Sequence, residues 1–168
     1  MSEFFLELFS EEIPSSLQKN LREDLLNSFI KVFNEKSISF KKNSSYSTPN
    51  RLVILFEGLQ KQIALKPEEI KGPNIKAPEI ALEGFLRSNN ISRKDLFKKV
   101  LDKIQWKKSM RWSDFNLNWG RPLKSILAIY DKKKLTFNFH HLTSSNSTFI
   151  DKEFEEKKKI ITIYKDYN

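Results

Sequence analysis

The side chains that could do covalent or metal chemistry are few. His140 and His141 are the only histidines; they are adjacent and fall at the end of a predicted strand. Successive strand residues point to opposite faces, so the pair cannot jointly hold a metal without distortion. A structural or exposed role is the expectation for both. Glu11 and Glu12 make a carboxylate pair, but adjacent side chains diverge and form no acid–base dyad. They read instead as charges near a helix N-terminus, where the backbone dipole favours them. There is no cysteine, hence no disulfide, thiolate nucleophile or thiolate metal site. Gly58, Gly72, Gly84 and Gly120 are scattered singly and build no phosphate loop. No H-x-E, H-E-x-x-H or D-x-D-x-D-G pattern occurs. The expectation is a chain with no catalytic centre, metal site or cofactor of its own.

Binding chemistry is better represented. Residues 106–130 hold all three tryptophans, Trp106, Trp112 and Trp119, interleaved with Arg111 and Arg121. An indole brings a large apolar area and one N–H donor. A guanidinium brings a planar fork suited to carboxylate or phosphate, or a face that stacks on indole. Two readings stand side by side: core tryptophans with solvated arginines, or a binding surface anchored in the core. The formal net charge of +9 and pI near 9.6 favour polyanionic partners, nucleic acid first. Only six of the 30 basic residues are arginine, and Lys, Asn, Ile and Phe are abundant. An AT-rich genome produces the same bias, so charge alone does not decide.

The elements that must position these residues can be read from periodicity. The 168 residues suit one domain or two small ones, and 39% hydrophobic content with 14 phenylalanines supplies a core. In residues 3–9, Phe4, Leu6 and Leu8 share one strand face. Leu17, Leu21, Leu25, Phe29, Val32 and Phe33 trace one face of a helix over 15–35, with Ser15 and Gln18 at capping-box spacing. Residues 38–42 alternate as a strand, 43–49 read as a polar loop, and 51–59 as a strand covered on both faces. Pro67, Pro73 and Pro78 exclude regular helix from the connector, after which short helices are predicted at 79–89, from Arg93, and at 100–107. Residues 123–130 and 135–140 read as a hairpin, and the charged tail as helical or frayed.

The predicted architecture is α+β. A mixed or antiparallel sheet is built from 3–9, 38–42, 51–59, 123–130 and 135–140, with helices mostly on one side. Its N-terminal portion is ferredoxin-like. The organisation is 1–66 strand-helix-strand-strand, 67–110 connector and short helices, 111–150 the Trp/Arg stretch and hairpin, and 151–168 a charged tail, together one domain. No apolar segment approaches membrane-spanning length, and the start lacks the basic region of a signal peptide. The expected location is cytoplasmic, with no membrane partner.

Several stretches, in order, resemble the N-terminal region of the bacterial glycyl-tRNA synthetase β-subunit family. Residues 7–14, E-L-F-S-E-E-I-P, look like its opening motif, and Thr48-Pro49-Asn50-Arg51-Leu52 its T-P-R-R-L. Lys71-Gly72-Pro73 matches a basic-G-P turn, and 81–85, A-L-E-G-F, the helix that follows. Lys108 to Trp112 is similar to K-x-M-R-W, Arg121-Pro122 to an R-P pair before a strand, and 145–148 to S-x-N-x-T. The chain departs from the family pattern at Asn50, Lys107 and Ser113. Ile150 to Glu153 stands where G-H-R-F belongs, and the chain is shortened between Lys99 and Val100.

The resemblance implies a β-subunit-like piece of glycine–tRNA ligase, the two-subunit enzyme that joins glycine to its tRNA at the expense of ATP. ATP and magnesium belong to the α subunit. The implied partners are that α subunit and glycine tRNA. Arg51, Lys108, Arg111 and Arg121 become the contacts expected with RNA or the partner, and Trp112 and Trp119 interface or core anchors. A surface ion pair is the alternative for each arginine. A free-standing basic RNA-binding or adaptor module, or a non-functional remnant, is the alternative for the whole. The shortening near Lys99 also implies an open sheet edge and hence self-association.

Overall fold

The computed structural model describes residues 2–59, 93–102, 109–111, 118–150 and 157–167. Its central element is β1 (Ser2–Ser10), buried on both faces except at Glu3. Helix α1 (Ser15–Glu35) follows, then the hairpin of β2 (Lys42–Thr48) and β3 (Arg51–Leu59). Helix α2 (Arg93–Asp102) precedes a small β4 (Met110–Arg111) and β5 (Asn118–Trp119) pair and the long β6 (Leu123–Tyr130). Short pieces complete the described chain: β7 (Lys133–Lys134), β8 (Asn138–Phe139), β9 (Leu142–Thr143), β10 (Ser147–Phe149) and β11 (Lys158–Ile160). A 3-10 turn (Tyr164–Asp166) follows.

The main sheet runs β2-β3-β1-β6-β7 and is antiparallel throughout. β1 and β2 are therefore parallel to each other with β3 between them, a split β-α-β unit crossed by α1. β3 and β6 stand in the same relation around β1, with α2 between them in sequence. The α+β class and the ferredoxin-like order follow directly. Both helices lie on one face. Phe97 of α2 stacks on Phe4 of β1 at 4.2 Å and 11°, and Phe29 of α1 meets the same ring at 5.5 Å. Phe33 and Phe56 extend this cluster at 4.9 Å. The alternation that puts Phe4, Leu6 and Leu8 here sends Phe5, Glu7 and Phe9 to the opposite face.

That second face is covered by chain rather than helix. Phe5, Val53, Leu55, Leu127 and Ile129 are buried beneath Ile161, with Tyr164 and Tyr167 packed alongside. The segment expected to be helical or frayed is instead, over 157–167, an edge hairpin with β10 and a 3-10 turn laid on the sheet.

Other expectations shift for local reasons. The strand placed at 38–42 lies at Lys42–Thr48, the segment read as a loop. K-N-S-S-Y-S-T shows no apolar alternation because β2 is an edge strand. Pairing with β3, from Lys42↔Glu57 to Thr48↔Arg51, holds it. The strand expected at 135–140 is broken. Asp131 and Lys132, with φ of 47° and 66°, make a two-residue turn after β6, a conformation matched to hairpin twist. Only Lys133 and Lys134 then pair before the chain leaves for the β8–β9 hairpin, whose turn is His140-His141. No side-chain cap bond starts α1; Gln18 Nε2 donates instead to the Ile13 carbonyl at 3.0 Å. The helices expected from Arg93 and from Val100 are one, α2, as far as Asp102. The 79–89 helix and most of the connector lie outside the described residues.

Among the described residues, Gly58 is the glycine whose conformation the fold needs. Its φ is +71°, and it sits at the register shift where Ser2 pairs with Leu59 but Glu3 with Glu57. The outer edge of β6 is occupied by β7 and by Ser145, which accepts from Ala128 and donates to Ile126. The outer edge of β2 carries no strand among the described residues. No helix among them is long and apolar enough to cross a membrane.

If α2 is a structural layer, Phe97→Ala should cost about 3–5 kcal/mol in urea unfolding. A loss below about 1 kcal/mol would show that α2 does not complete the core.

Candidate RNA- and subunit-contact corner

Three of the quoted motifs meet at one corner through backbone bonds. The Ser10 N–H donates to the Asn50 carbonyl at 2.9 Å, and Asn50 Nδ2 returns a bond to the Ser10 carbonyl at 3.2 Å. The Ile13 N–H donates to Pro49 and the Glu11 N–H to Pro122, at 2.6 and 3.0 Å. E-L-F-S-E-E-I-P, T-P-N-R-L and R-P are thus one assembly, built where the ends of β1 and β6 meet the β2–β3 turn.

Beneath that corner, on the second face, sits a buried carboxylate. Glu7 is fully buried. The Thr148 hydroxyl donates to its Oε1 at 2.5 Å, the Tyr167 hydroxyl donates to Oε2, and Arg51 Nε lies 3.3 Å from Oε2. The Arg51 fork also donates to the Phe149 carbonyl, and its guanidinium carbon is 4.8 Å from the Phe9 ring centre. Burial pushes the Glu7 carboxyl above the ordinary glutamate range; the bonds from Thr148 and Tyr167 and the charge of Arg51 only partly offset that. Burial and the neighbouring Glu7 charge raise the Tyr167 phenol. Glu3, at the edge of the same face, accepts the Tyr164 N–H at 2.8 Å.

The sequence-derived contact residues separate into distinct settings. Arg51 is half-buried and engaged by Glu7, Phe149 and Phe9 within the chain. Arg121 is half-exposed and lines a shallow cleft of about 280 Å³ with Glu11, Glu12 and Pro14. Glu11 and Glu12 precede α1 rather than entering its first turn, and Glu11 lies 3.8 Å from Lys124. Arg111 is exposed on β4. Trp119 is buried in the main core, edge-on to Phe139 at 5.6 Å. Lys108 and Trp112 lie outside the described residues. His140 Nε2 is 3.6 Å from Asp102. Among the described residues, no group of three or more His, Asp or Glu side chains could hold a metal ion.

Glu7, Thr148 and Tyr167 were not singled out from sequence. Two signals exist: Glu7 interrupts Phe5 and Phe9 on a strand flanked by apolar residues, and Glu7 and Thr148 each fall within a stretch that resembles a family motif. Its partners lie 141 and 160 positions away, beyond any local pattern.

An α+β layer with two helices on one face and an extended segment clasped to the other defines a basic scaffold that presents charged corners. The family model for the glycyl-tRNA synthetase beta subunit matches residues 4–99 and 94–168. The chain belongs to that family. The glycine–tRNA ligase beta subunit of Rickettsia conorii is 38% identical over 196 residues, covering 99% of this chain and 29% of the relative. Those of Rickettsia akari and Rickettsia bellii are 38% and 36% identical, each covered over 30% of its length. The chain therefore spans less than a third of these relatives. The alignments are longer than the chain's own 168 residues, and the two matched stretches meet at 94–99, inside α2. The internal shortening near Lys99 thus falls within a continuous helix.

The buried carboxylate has a pH signature of definite sign. A folded-state pKa raised above the unfolded value means the folded chain binds the Glu7 proton more tightly. The contribution is then fully present below the ordinary glutamate value, about 4.3, and lost as pH rises through the raised one. Chemical denaturation should show wild type gaining stability relative to Glu7→Gln as pH is lowered from 7 toward 5. Glu7→Leu, which leaves the Thr148 and Tyr167 hydroxyls without their acceptor and Arg51 without its counter-charge, should lose about 1–3 kcal/mol at pH 7. A stability difference between wild type and Glu7→Gln that does not change with pH would contradict the raised carboxyl.

Proposed function

We propose that this chain acts as a β-subunit-like piece of glycine–tRNA ligase, supporting ATP-dependent glycyl-tRNA formation through contacts with tRNA and with the α subunit. The observation that carries the reading is the family match, which spans residues 4 to 168 with the motifs assembled at one corner. The chain's part is recognition and scaffolding. ATP, magnesium and the reacting glycine belong, on this reading, to the α subunit. Self-association through the outer edge of β2, which carries no further strand among the described residues, belongs to the same proposal.

On this reading the arginines divide the tasks. Arg51 is best understood as the counter-charge of Glu7, so its removal should act on stability. Arg121, half-exposed at the motif corner, and Arg111, exposed on β4, are the stronger choices for phosphate or partner contact. Trp119, two residues before Arg121, serves as a core anchor.

A second reading, a free-standing basic RNA-binding module, is favoured by the internal shortening relative to the family. The two readings differ in their need for the partner.

Size-exclusion chromatography with the α subunit of the same organism, with and without glycine tRNA, separates them. A stable complex is expected, with tRNA affinity falling roughly three- to tenfold in Arg121→Ala as one phosphate contact and its salt dependence are lost. RNA binding without any complex would select the second reading. Neither complex nor RNA binding would contradict both.

A further inference from the structure

We infer that the second face of the sheet carries a stacking platform for single-stranded RNA, built from Tyr46, Tyr164 and Tyr167, the last two on a segment that also carries the exposed lysines of residues 157–165. This deepens the proposed function and rests on its premise that the chain contacts RNA.

Three tyrosines from two distant segments stand with near-parallel rings. Tyr46 on β2 and Tyr164 are 6.0 Å apart at 14°; Tyr164 and Tyr167 are 6.3 Å apart at 20°. Both C-terminal rings rest edge-on against Phe5, at 5.3 and 4.9 Å. The Tyr167 hydroxyl is fixed on Glu7 and the Tyr164 N–H on Glu3. The inner two rungs are thus locked from below. Tyr46, the outermost, is 46% exposed at the sheet edge that carries no further strand among the described residues. A rigid, pre-oriented aromatic face open to solvent lets a base stack without an ordering cost.

The surroundings favour a polyanion. Lys157, Lys158, Lys159 and Lys165 are exposed on the segment that carries Tyr164. The one acid within 157–167, Asp166, is taken up by the Thr162 and Ile163 N–H groups at 3.1 Å. Ser44 and Thr48, two residues to either side on the same strand face, flank Tyr46 along β2. Hydroxyls beside an aromatic ring suit sugar and phosphate better than an apolar protein surface. A duplex cannot offer a free base face to Tyr46, whereas a single strand can.

The layout also shows why the platform lies at the edge. A four-stranded sheet with helices on one side can bind bases directly on its open face. Here Ile161, Tyr164 and Tyr167 already occupy that face over Phe5. The aromatic surface is handed outward, through Tyr164, to Tyr46.

The test is fluorescence anisotropy of the 168-residue chain with a labelled, unstructured RNA of about ten nucleotides, within the usual site size, and with the corresponding duplex. Tyr46→Ala should weaken single-strand binding roughly five- to hundredfold, with an unchanged thermal midpoint, while Tyr46→Phe retains it. Lys159→Ala should lower the slope of log affinity against log salt by about one. Unchanged binding by Tyr46→Ala would overturn the platform, as would equal affinity for duplex and single strand. So would a Tyr46→Ala defect confined to the α-subunit complex, which would make the surface a protein interface. Glycine tRNA bound normally by Tyr46→Ala would sink the platform alone; no RNA binding by wild type would sink the premise as well.

Discussion

A carboxylate buried in the middle of the central strand constrains this molecule more than any other group. Removing a charge from water costs several kcal/mol unless hydrogen bonds and an opposite charge offset it. Glu7 sits between Phe5 and Phe9 on a strand covered on both faces, so it has no route to solvent. Its partners come from three other places: Arg51 at the start of β3, Thr148 on β10, and Tyr167 after the 3-10 turn. Satisfying one side chain fixes the β3 register, seats the β10–β11 hairpin and draws residues 161–167 across the sheet. Arg51 then carries two further tasks, closing on Phe149 and covering Phe9.

The two faces of the sheet divide the work. The helix-covered face is a phenylalanine core centred on Phe4, which makes the layer rigid. The other face is a polar clasp set in an apolar surround, which makes the layer specific. Glu7, Arg51 and Thr148 each belong to a different short motif of the family resemblance, and they touch. Those motifs therefore encode a joint, and the joint holds the corner bearing Arg121 and Pro122 against the start of α1. The proposed contacts with RNA and partner lie outside the joint but are positioned by it.

Local pattern revealed α1, β1, β3 and β6 because each carries a helical or apolar rhythm over seven or more residues, interrupted in β1 only by Glu7. β2 was hidden because an edge strand needs no apolar alternation, and its six polar residues and Tyr46 pair with β3 regardless. The strand expected at 135–140 was lost because a two-residue turn and two short pairings use up the sequence before a long strand can form. Trp119 and Arg121 look equivalent in a Trp/Arg stretch, yet one is core and the other lines a surface cleft. The Glu7 clasp was not legible as a unit: Glu7, Arg51 and Thr148 lie in separate motifs and Tyr167 in none, and only folding joins them. Family resemblance supplied what periodicity could not: the motifs that meet at the corner, and the shortening that falls within α2.

The clasped second face is most directly examined by amide hydrogen exchange along the chain. Closure predicts protection at Ile161, Tyr164 and Tyr167, whose N–H groups donate to the Asn146 carbonyl, the Glu3 carboxylate and the Tyr164 carbonyl. Their opening energies should lie near those of the β1 and β3 amides around Phe5 and Leu55, and should fall together in Glu7→Leu. Free exchange at residues 161–167 while β1 and β3 stay protected would contradict it, leaving the sheet with an open face and Glu7 without its clasp.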